Sequence, residues 1–292
     1  MRIFFIVLLI FSFETHSKVP EPSYGLPELA SEAWIKELNS KKRAKVMTPS
    51  VARTMQKVLE SLDEAGILEQ EKALLKKEKK DKEAEAKDKE IAKAVANGQK
   101  ELDKLTPRLA SLKSYDRSMY YYYQSYYNLA YQDKISDAIK NYINVVNEED
   151  TADKLRVEAY YVLAQLYLSE SNYKSGVDYL LKWFKYTGEV KPDGYVLLGQ
   201  AYYLLADKET TKSKVLASKQ KAYNNVLEAK RLADEKQIRF RENWYSLLLA
   251  SMSELELKEE QVPLYEEILE LYPKKKYFVN LAGLYNDLDR QR

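Results

Sequence analysis

Apolar and small residues recur in the second half of the chain at intervals of three, one and three positions. The recurring phrase is an aromatic residue, a Leu, a small residue and a Tyr. On an α-helix these four positions share one face, and the small residue leaves room for a second helix. Each copy therefore predicts an amphipathic helix with a close neighbour. The copies are Tyr160/Leu163/Ala164/Tyr167, Tyr195/Leu198/Gly199/Tyr202 and Phe278/Leu281/Ala282/Tyr285.

A weaker pattern, a small or polar residue followed four positions later by an apolar one, predicts the second helix of each pair. The interval from Ala164 to Gly176 is the one that a helix, a tight turn and a second helix require. We therefore expect an all-α fold, with a repeat array over residues 114–292 made of about four helix pairs and a C-terminal helix. The second-helix pairs are Ala138/Tyr142, Gly176/Leu180, Ala222/Val226 and Gln261/Tyr265.

Proline positions help to place the helix boundaries in the repeat array. Pro192 suits the first position of a helix, where its missing N–H is not needed. Pro263 would break a helix interior, so the sequence predicts that a second helix starts near it. The expected units are Val157 to about Gly188, a third unit from Pro192 with an insertion over 205–220, a fourth from Glu242 to Pro273, and a last helix over 275–288.

The region before the array, residues 48–113, is expected to be helical. Thr48 and Pro49 form a helix start, with Thr48 as the N-cap. The helix that follows has one apolar face and needs a partner to cover it. That face consists of Val51, Met55, Val58, Leu59 and Leu62.

Lys and Glu dominate residues 69–104, with few apolar residues between Lys76 and Glu90. Two interpretations remain: a long solvated helix, or a helical hairpin that turns back at Asn97-Gly98. Glu-to-Lys pairs four positions apart would support the single helix. These pairs are Glu78/Lys82, Glu83/Lys87 and Glu85/Lys89.

The N-terminus has the features of a secretory signal. Arg2 is followed by an apolar run from Ile3 to Phe13 and by small residues up to Ser17, near which cleavage is expected. The alternative, a retained anchor, needs roughly 20 apolar residues, and this run is about half that length. We expect residues 1–17 to be a signal peptide, residues 18–47 to be a flexible lead-in, and the protein to be periplasmic.

The amino-acid composition limits which chemical functions the chain can have. The chain of 292 residues has no Cys, and its one His, His16, lies within the expected signal. Nucleophile systems that use His or Cys and thiolate zinc sites are thereby excluded from the mature chain. A formal net charge of +2 gives no nucleic-acid footprint. We expect no enzyme activity, cofactor, metal or small-molecule substrate. A carboxylate-only, polysaccharide-active enzyme would need paired acids in a cleft.

Tyrosines are dense where the array opens, from Tyr120 to Tyr131. The repeat register places Tyr122 and Tyr126 between helices and Tyr120, Tyr123 and Tyr127 on the groove side, where tyrosine provides contact area at low entropic cost. The alternative for any one of these tyrosines is packing against the next repeat, since tyrosine suits half-buried sites. Extending that register predicts a partner-binding groove. Its residues are Tyr123, Tyr127, Tyr161, Gln165, Gln200, Tyr203, Asn243 and Ser246.

The recurring phrase resembles the first helix of the tetratricopeptide repeat. Longer stretches resemble the tetratricopeptide-repeat proteins that accompany TonB energy-transduction systems in Gram-negative bacteria: 48–65, 161–168, 201–203, 244–250 and 271–288. The resemblance implies a right-handed α-solenoid of helix hairpins that binds proteins with its concave face. It also implies a periplasmic accessory working beside TonB and the ExbB/ExbD motor. It carries no catalytic or cofactor residue.

The sequence thus predicts a periplasmic scaffold that binds an envelope protein, with TonB or ExbB/ExbD as candidate partners and with membrane association only through them. The alternative is a structural assembly factor for outer-membrane or cell-wall biogenesis, in which the charged segment is a spacer.

Overall fold

The computed structural model describes residues 25–39, 45–188 and 190–289, so the predicted signal at residues 1–17 lies outside the described part. Within those ranges the chain forms twelve α-helices, a short 3-10 turn over Thr106–Ser111 and no strand. The helices are α1 Glu32–Asn39, α2 Pro49–Lys77, α3 Asp81–Asp103, α4 Ser114–Ala130, α5 Ile135–Asn147, α6 Asp153–Ser169, α7 Tyr173–Tyr186, α8 Pro192–Ala206, α9 Lys212–Glu235, α10 Glu242–Glu254, α11 Lys258–Leu271 and α12 Lys275–Asp289.

The described residues divide into two compact units. One covers residues 32–166, and the other joins residues 25–31 to the chain from residue 167 onward. In neither unit does a described helix have the length and apolar character needed to cross a membrane.

The charged region is a helical hairpin. Helix α2 begins at Pro49 with Thr48 as its N-cap residue, as predicted. The Thr48 N–H donates a hydrogen bond of 2.9 Å to Oδ1 of Asp116, which fixes this helix start against α4. The chain turns at residues 78–80, where Lys79 has a φ of 59°. The turn predicted at Asn97-Gly98 is wrong, because both residues lie inside α3.

Ion pairs join α2 to α3 across the hairpin. Lys87 Nζ lies 2.9 Å from an oxygen of Glu71, and Lys72 pairs with Asp88. Lys57 Nζ, near the start of α2, lies 4.0 Å from an oxygen of Glu101, near the end of α3, so the two helices run antiparallel. The predicted pair Glu78/Lys82 instead spans the turn, since α2 ends at Lys77.

A core lies at the base of this hairpin. Val51, Met55 and Val58 of the predicted apolar face are fully buried, whereas Leu59 is 40% exposed. They pack in one cluster with Leu102 and Leu105 and with two tyrosines of α4. The face of α2 therefore finds its partner within its own unit.

Helices α4 and α5 form the next hairpin. The Ser125 hydroxyl lies within hydrogen-bond distance of the backbone oxygens of Tyr121 and Ala138, at 2.8 and 3.3 Å. The rings of Tyr122 and Tyr142 meet edge to face at 6.1 Å between centroids. Ala138 and Tyr142 are buried, as the second-helix pattern predicts.

Helices α8 and α9 come closest at Gly199. A Cβ built there would lie 2.4 Å from Val226 Cγ2 and 3.1 Å from the backbone oxygen of Ala222. Gly199, the small residue of the phrase, therefore lets the two helices touch, as the sequence predicts. Pro192 is the first residue of α8, as expected, and the insertion over 205–220 is largely an N-terminal extension of α9.

Helices α10, α11 and α12 complete the second unit. The predicted starts at Glu242 and Lys275 are confirmed. The predicted start near Pro263 is wrong, because α11 begins at Lys258 and carries Pro263 in its interior. The helix loses one backbone hydrogen bond there, and packing of Leu264, Tyr265 and Ile268 outweighs the loss.

Five turns in the described chain hold left-handed backbone at a residue other than glycine. Five non-glycine residues have φ values between 51° and 60° in the described chain, and each lies in a turn that follows a helix. They are Lys79, Asp133, Ser171, Gln237 and Glu256.

Candidate partner-binding surfaces

The eight predicted groove residues fall into two groups. Tyr123, Tyr127, Tyr161 and Gln165 belong to the unit of residues 32–166, and the other four belong to the unit that contains α8 and α10.

The groove prediction for Tyr127 is wrong. Its side chain is 0% exposed, because α2 and α3 cover this face of α4. Tyr120, assigned to the same face, is also buried, and Tyr123 is half-buried. The repeat register placed the three tyrosines on one face, but the sequence gave no sign that α2 and α3 would cover it.

Gly98 explains how Tyr127 is accommodated. A Cβ at Gly98 would lie 1.9 Å from the Tyr127 hydroxyl and 2.9 Å from Ser61 Cβ. Within the described residues the hydroxyl has no hydrogen-bond partner, and burial raises the pKa of Tyr127 to about 12. The glycine that suggests a helix stop in the sequence serves instead to admit a ring.

The interhelix prediction holds for Tyr122 but not for Tyr126. The Tyr122 hydroxyl donates a 2.7 Å hydrogen bond to Glu158. Burial and that carboxylate raise the pKa of Tyr122. Tyr126 is 42% exposed and meets Tyr131 edge to face at 6.0 Å. The tyrosine run therefore supplies both core and surface rings.

On α6, Tyr161 and Gln165 are half-buried. They lie one helical turn apart and so share a face. Each side chain is thus only partly exposed, whereas the sequence places both in the groove.

Helices α8 and α10, which contact each other, carry the remaining four predicted residues. Gln200, Asn243 and Ser246 are exposed, and Tyr203 is half-buried. Burial, and then the Glu254 carboxylate, raise the pKa of Tyr203. The Ser246 hydroxyl donates to the backbone oxygen of Glu242 at 3.0 Å, so one of its hydrogen bonds is already made. We call these four residues the α8/α10 face.

A second surface, absent from the sequence prediction, holds part of the lead-in. Residues 25–28 lie beside an open cleft of about 410 Å³, which we call the lead-in cleft. The array side of the cleft is lined by Leu181, Lys182, Lys185, Tyr202 and Lys221, from α7, α8 and α9. The predicted flexible lead-in is therefore in contact with the array over these residues, and further along it forms α1.

Specific contacts hold the segment. The Asn225 side chain donates hydrogen bonds to the backbone oxygens of Gly25, at 3.1 Å, and Lys221, at 2.8 Å. Gly25 has a φ of +80°, and a Cβ there would lie 2.5 Å from Lys221 Cγ. Pro27 is buried. In the sequence, Gly25 between prolines indicates a turn, but nothing indicates its contact with the distant Asn225.

The cleft is positively charged. Lys185 Nζ lies 3.3 Å from Glu28, and Lys221 Nζ lies 5.3 Å from the centre of the Tyr202 ring. Burial, followed by the nearby Asp178 carboxylate, raises the pKa of Tyr202 to about 12. Lys182, also on the cleft wall, lies over the Tyr179 ring at 4.6 Å. The side chains offered to a ligand are thus cationic and aromatic.

Across the described chain no group of three or more His, Asp or Glu side chains is arranged to hold a metal ion. Comparison of the sequence with protein-family models, with curated proteins and with solved structures finds no match.

Proposed function

We propose that this chain is a periplasmic scaffold of tetratricopeptide type that holds a segment of another envelope protein. In this proposal the helix hairpins stack as a right-handed α-solenoid. The α8/α10 face forms part of the concave binding surface, and the bound protein is TonB, ExbB or ExbD.

The observation that carries the proposal is the α8/α10 face. Two helices that each open a hairpin lie side by side. They bury apolar residues, among them Leu198 of α8 and Leu248 of α10, and leave Gln200 and Asn243 exposed. Amide side chains that project from neighbouring helices can make hydrogen bonds to the backbone of an extended segment, whatever its sequence. Such a face suits the binding of a polypeptide.

The location and the partner rest on the sequence. The predicted signal at residues 1–17 supports the periplasm. The resemblance of residues 244–250 and 271–288 to accessory proteins of TonB systems supports the partner.

Site-specific crosslinking in living cells tests the proposal. A photo-crosslinking amino acid is placed at Gln200 or Asn243 of the full chain, with the same amino acid at Glu270 as the control. Glu270 is exposed on α11, outside the predicted groove. We expect TonB, ExbB or ExbD to be captured from the first two positions and not from Glu270.

The outcomes separate the alternatives. Capture of cell-wall or outer-membrane assembly proteins from Gln200 would replace the TonB assignment with the assembly-factor function. Equal capture at all three positions, or capture at Glu270 alone, would contradict the binding role of the α8/α10 face.

A further inference from the structure

The contacts of residues 25–28 show how the array surface beside the lead-in cleft holds an extended segment. Asn225 fixes a backbone carbonyl, the wall of α9 admits only glycine at position 25, and Lys185 meets the carboxylate of Glu28. Backbone, shape and charge are thus each recognised by a different array residue.

The contacts of residues 25–28 leave one polar atom of Asn225 unsatisfied. Asn225 is fully buried, and in the described part of the chain its Oδ1 has no hydrogen-bond partner, although Nδ2 of the same amide makes two bonds. A buried acceptor without a donor costs on the order of 1–3 kcal/mol. A segment that placed a backbone N–H against Oδ1 would remove that cost.

The charges and the open space of the cleft also favour a segment more acidic than residues 25–28. The ion pair between Lys185 and Glu28 is solvent-exposed, and pairs of this kind contribute little. Lys182 and Lys221 line the same open cleft. A segment with more carboxylates than residues 25–28 would therefore meet further cations.

We infer that the lead-in cleft, together with the array surface that residues 25–28 cover beside it, is a docking site for an extended, acidic, proline-containing segment of a partner protein, and that residues 25–28 act there as a weak internal competitor. The inference rests on the proposed scaffold role, since it names a second surface through which the scaffold holds another polypeptide. It does not depend on the partner being TonB.

Binding of a labelled peptide tests this directly. The probe is a fluorescein-labelled peptide with the sequence of residues 19–31, and its anisotropy is followed as the purified full chain is added. We expect saturable binding. A probe carrying Gly25→Val should bind at least about tenfold more weakly, because its side chain meets Lys221. A probe with Leu29→Ser is the matched control, since Leu29 is 48% exposed, and should bind as the original does.

The same substitution in the protein should have the opposite effect. Gly25→Val in the full chain disfavours the internal segment and frees the cleft. The unsubstituted probe should then bind at least about threefold more tightly than it does to the native chain, because a tethered competitor acts at high effective concentration. Asn225→Leu, with the fold checked by circular dichroism, should weaken the probe on either background.

Three results would overturn the inference. One is absence of saturable binding to the Gly25→Val chain, and another is equal affinity for the original and Gly25→Val probes. The third is a native dimer in sedimentation that Gly25→Val abolishes, which would assign the cleft to a second copy. Because the assay contains no TonB, ExbB or ExbD, its failure leaves the crosslinking result standing, and the reverse also holds.

Discussion

Helices α8 and α12 carry the same phrase and differ in how much of it is buried. In α8 the residues Tyr195, Leu198 and Tyr202 are almost completely buried. In α12 the corresponding Phe278 and Tyr285 are 56% and 44% exposed. The difference is the neighbour: α8 has α9 against its small residue, whereas no described helix follows α12 in the chain. The phrase predicts a helix with one apolar face, and that face is buried only where a second helix packs against it.

The largest effect expected from this comparison is at the small residue of the phrase. Gly199→Val should destabilise the protein by about 3 kcal/mol, because its side chain would overlap Val226 and the backbone of Ala222. Ala282→Val, at the same position of exposed α12, should change stability by less than about 0.5 kcal/mol. Urea unfolding followed by circular dichroism measures both. Equal losses would show that the phrase, and not the neighbour, sets the cost.

A smaller effect is expected where the α2–α3 hairpin meets α4. Gly98→Ala should cost about 2 kcal/mol, since the new methyl group meets the Tyr127 hydroxyl. Combining it with Tyr127→Phe should restore part of that loss, because the variant ring lacks the oxygen that collides, and that oxygen has no hydrogen-bond partner in the described structure. The contact with Ser61 Cβ, at 2.9 Å, remains.

The control for Gly98 is Gly66 on α2. A Cβ at Gly66 would meet no described atom within 4 Å, so Gly66→Ala should be neutral or slightly stabilising through helix propensity. Thermal unfolding of the native protein, Gly98→Ala, the double variant and Gly66→Ala measures these differences in stability. A double variant no more stable than Gly98→Ala would mean that the hydroxyl is not the obstacle.

The smallest effect concerns the contacts between α12 and α10. Glu242 of α10 accepts hydrogen bonds from Lys274, at 2.5 Å, and from the Tyr277 hydroxyl, at 2.7 Å. These contacts, with Lys276 as a further contributor, lower the pKa of Glu242 to about 2. A carboxyl with a lowered pKa stabilises the fold above its ordinary pKa, and that stabilisation is lost as pH falls toward the folded value.

Glu242→Gln should therefore destabilise the chain at pH 6, and the difference from the native protein should shrink between about pH 4.5 and pH 2. Urea unfolding over that range measures the difference. Glu259→Gln, which removes one exposed carboxylate from α11, controls for net charge. A difference that stays constant with pH would exclude the ionised carboxylate as the source of the attachment.

Local signals in the sequence predicted the helices well. Pro49, Pro192 and Glu242 each begin a helix where expected, because helix starts depend on residues within one turn. The helix boundaries predicted at Asn97-Gly98 and Pro263 were wrong for a common reason. Both are unfavourable within a helix by local propensity, and tertiary packing outweighed that preference.

The binding surfaces were less predictable. The exposure of Gln200 and Asn243 follows from helical periodicity, whereas the burial of Tyr127 depends on where a distant hairpin packs. The contact between Gly25 and Asn225 joins residues 200 positions apart. Spacing within one sequence carries no signal for such pairs, since neither residue reveals its partner.

The left-handed turns offer positions at which the stability of this protein can be raised by substitution. Lys79, Asp133, Ser171, Gln237 and Glu256 hold left-handed backbone that a Cβ opposes. Each lies in a different turn, so glycine substitutions there should act independently and their gains should add. The five positions thus form a modular route to a more heat-resistant protein that leaves every helix face unchanged.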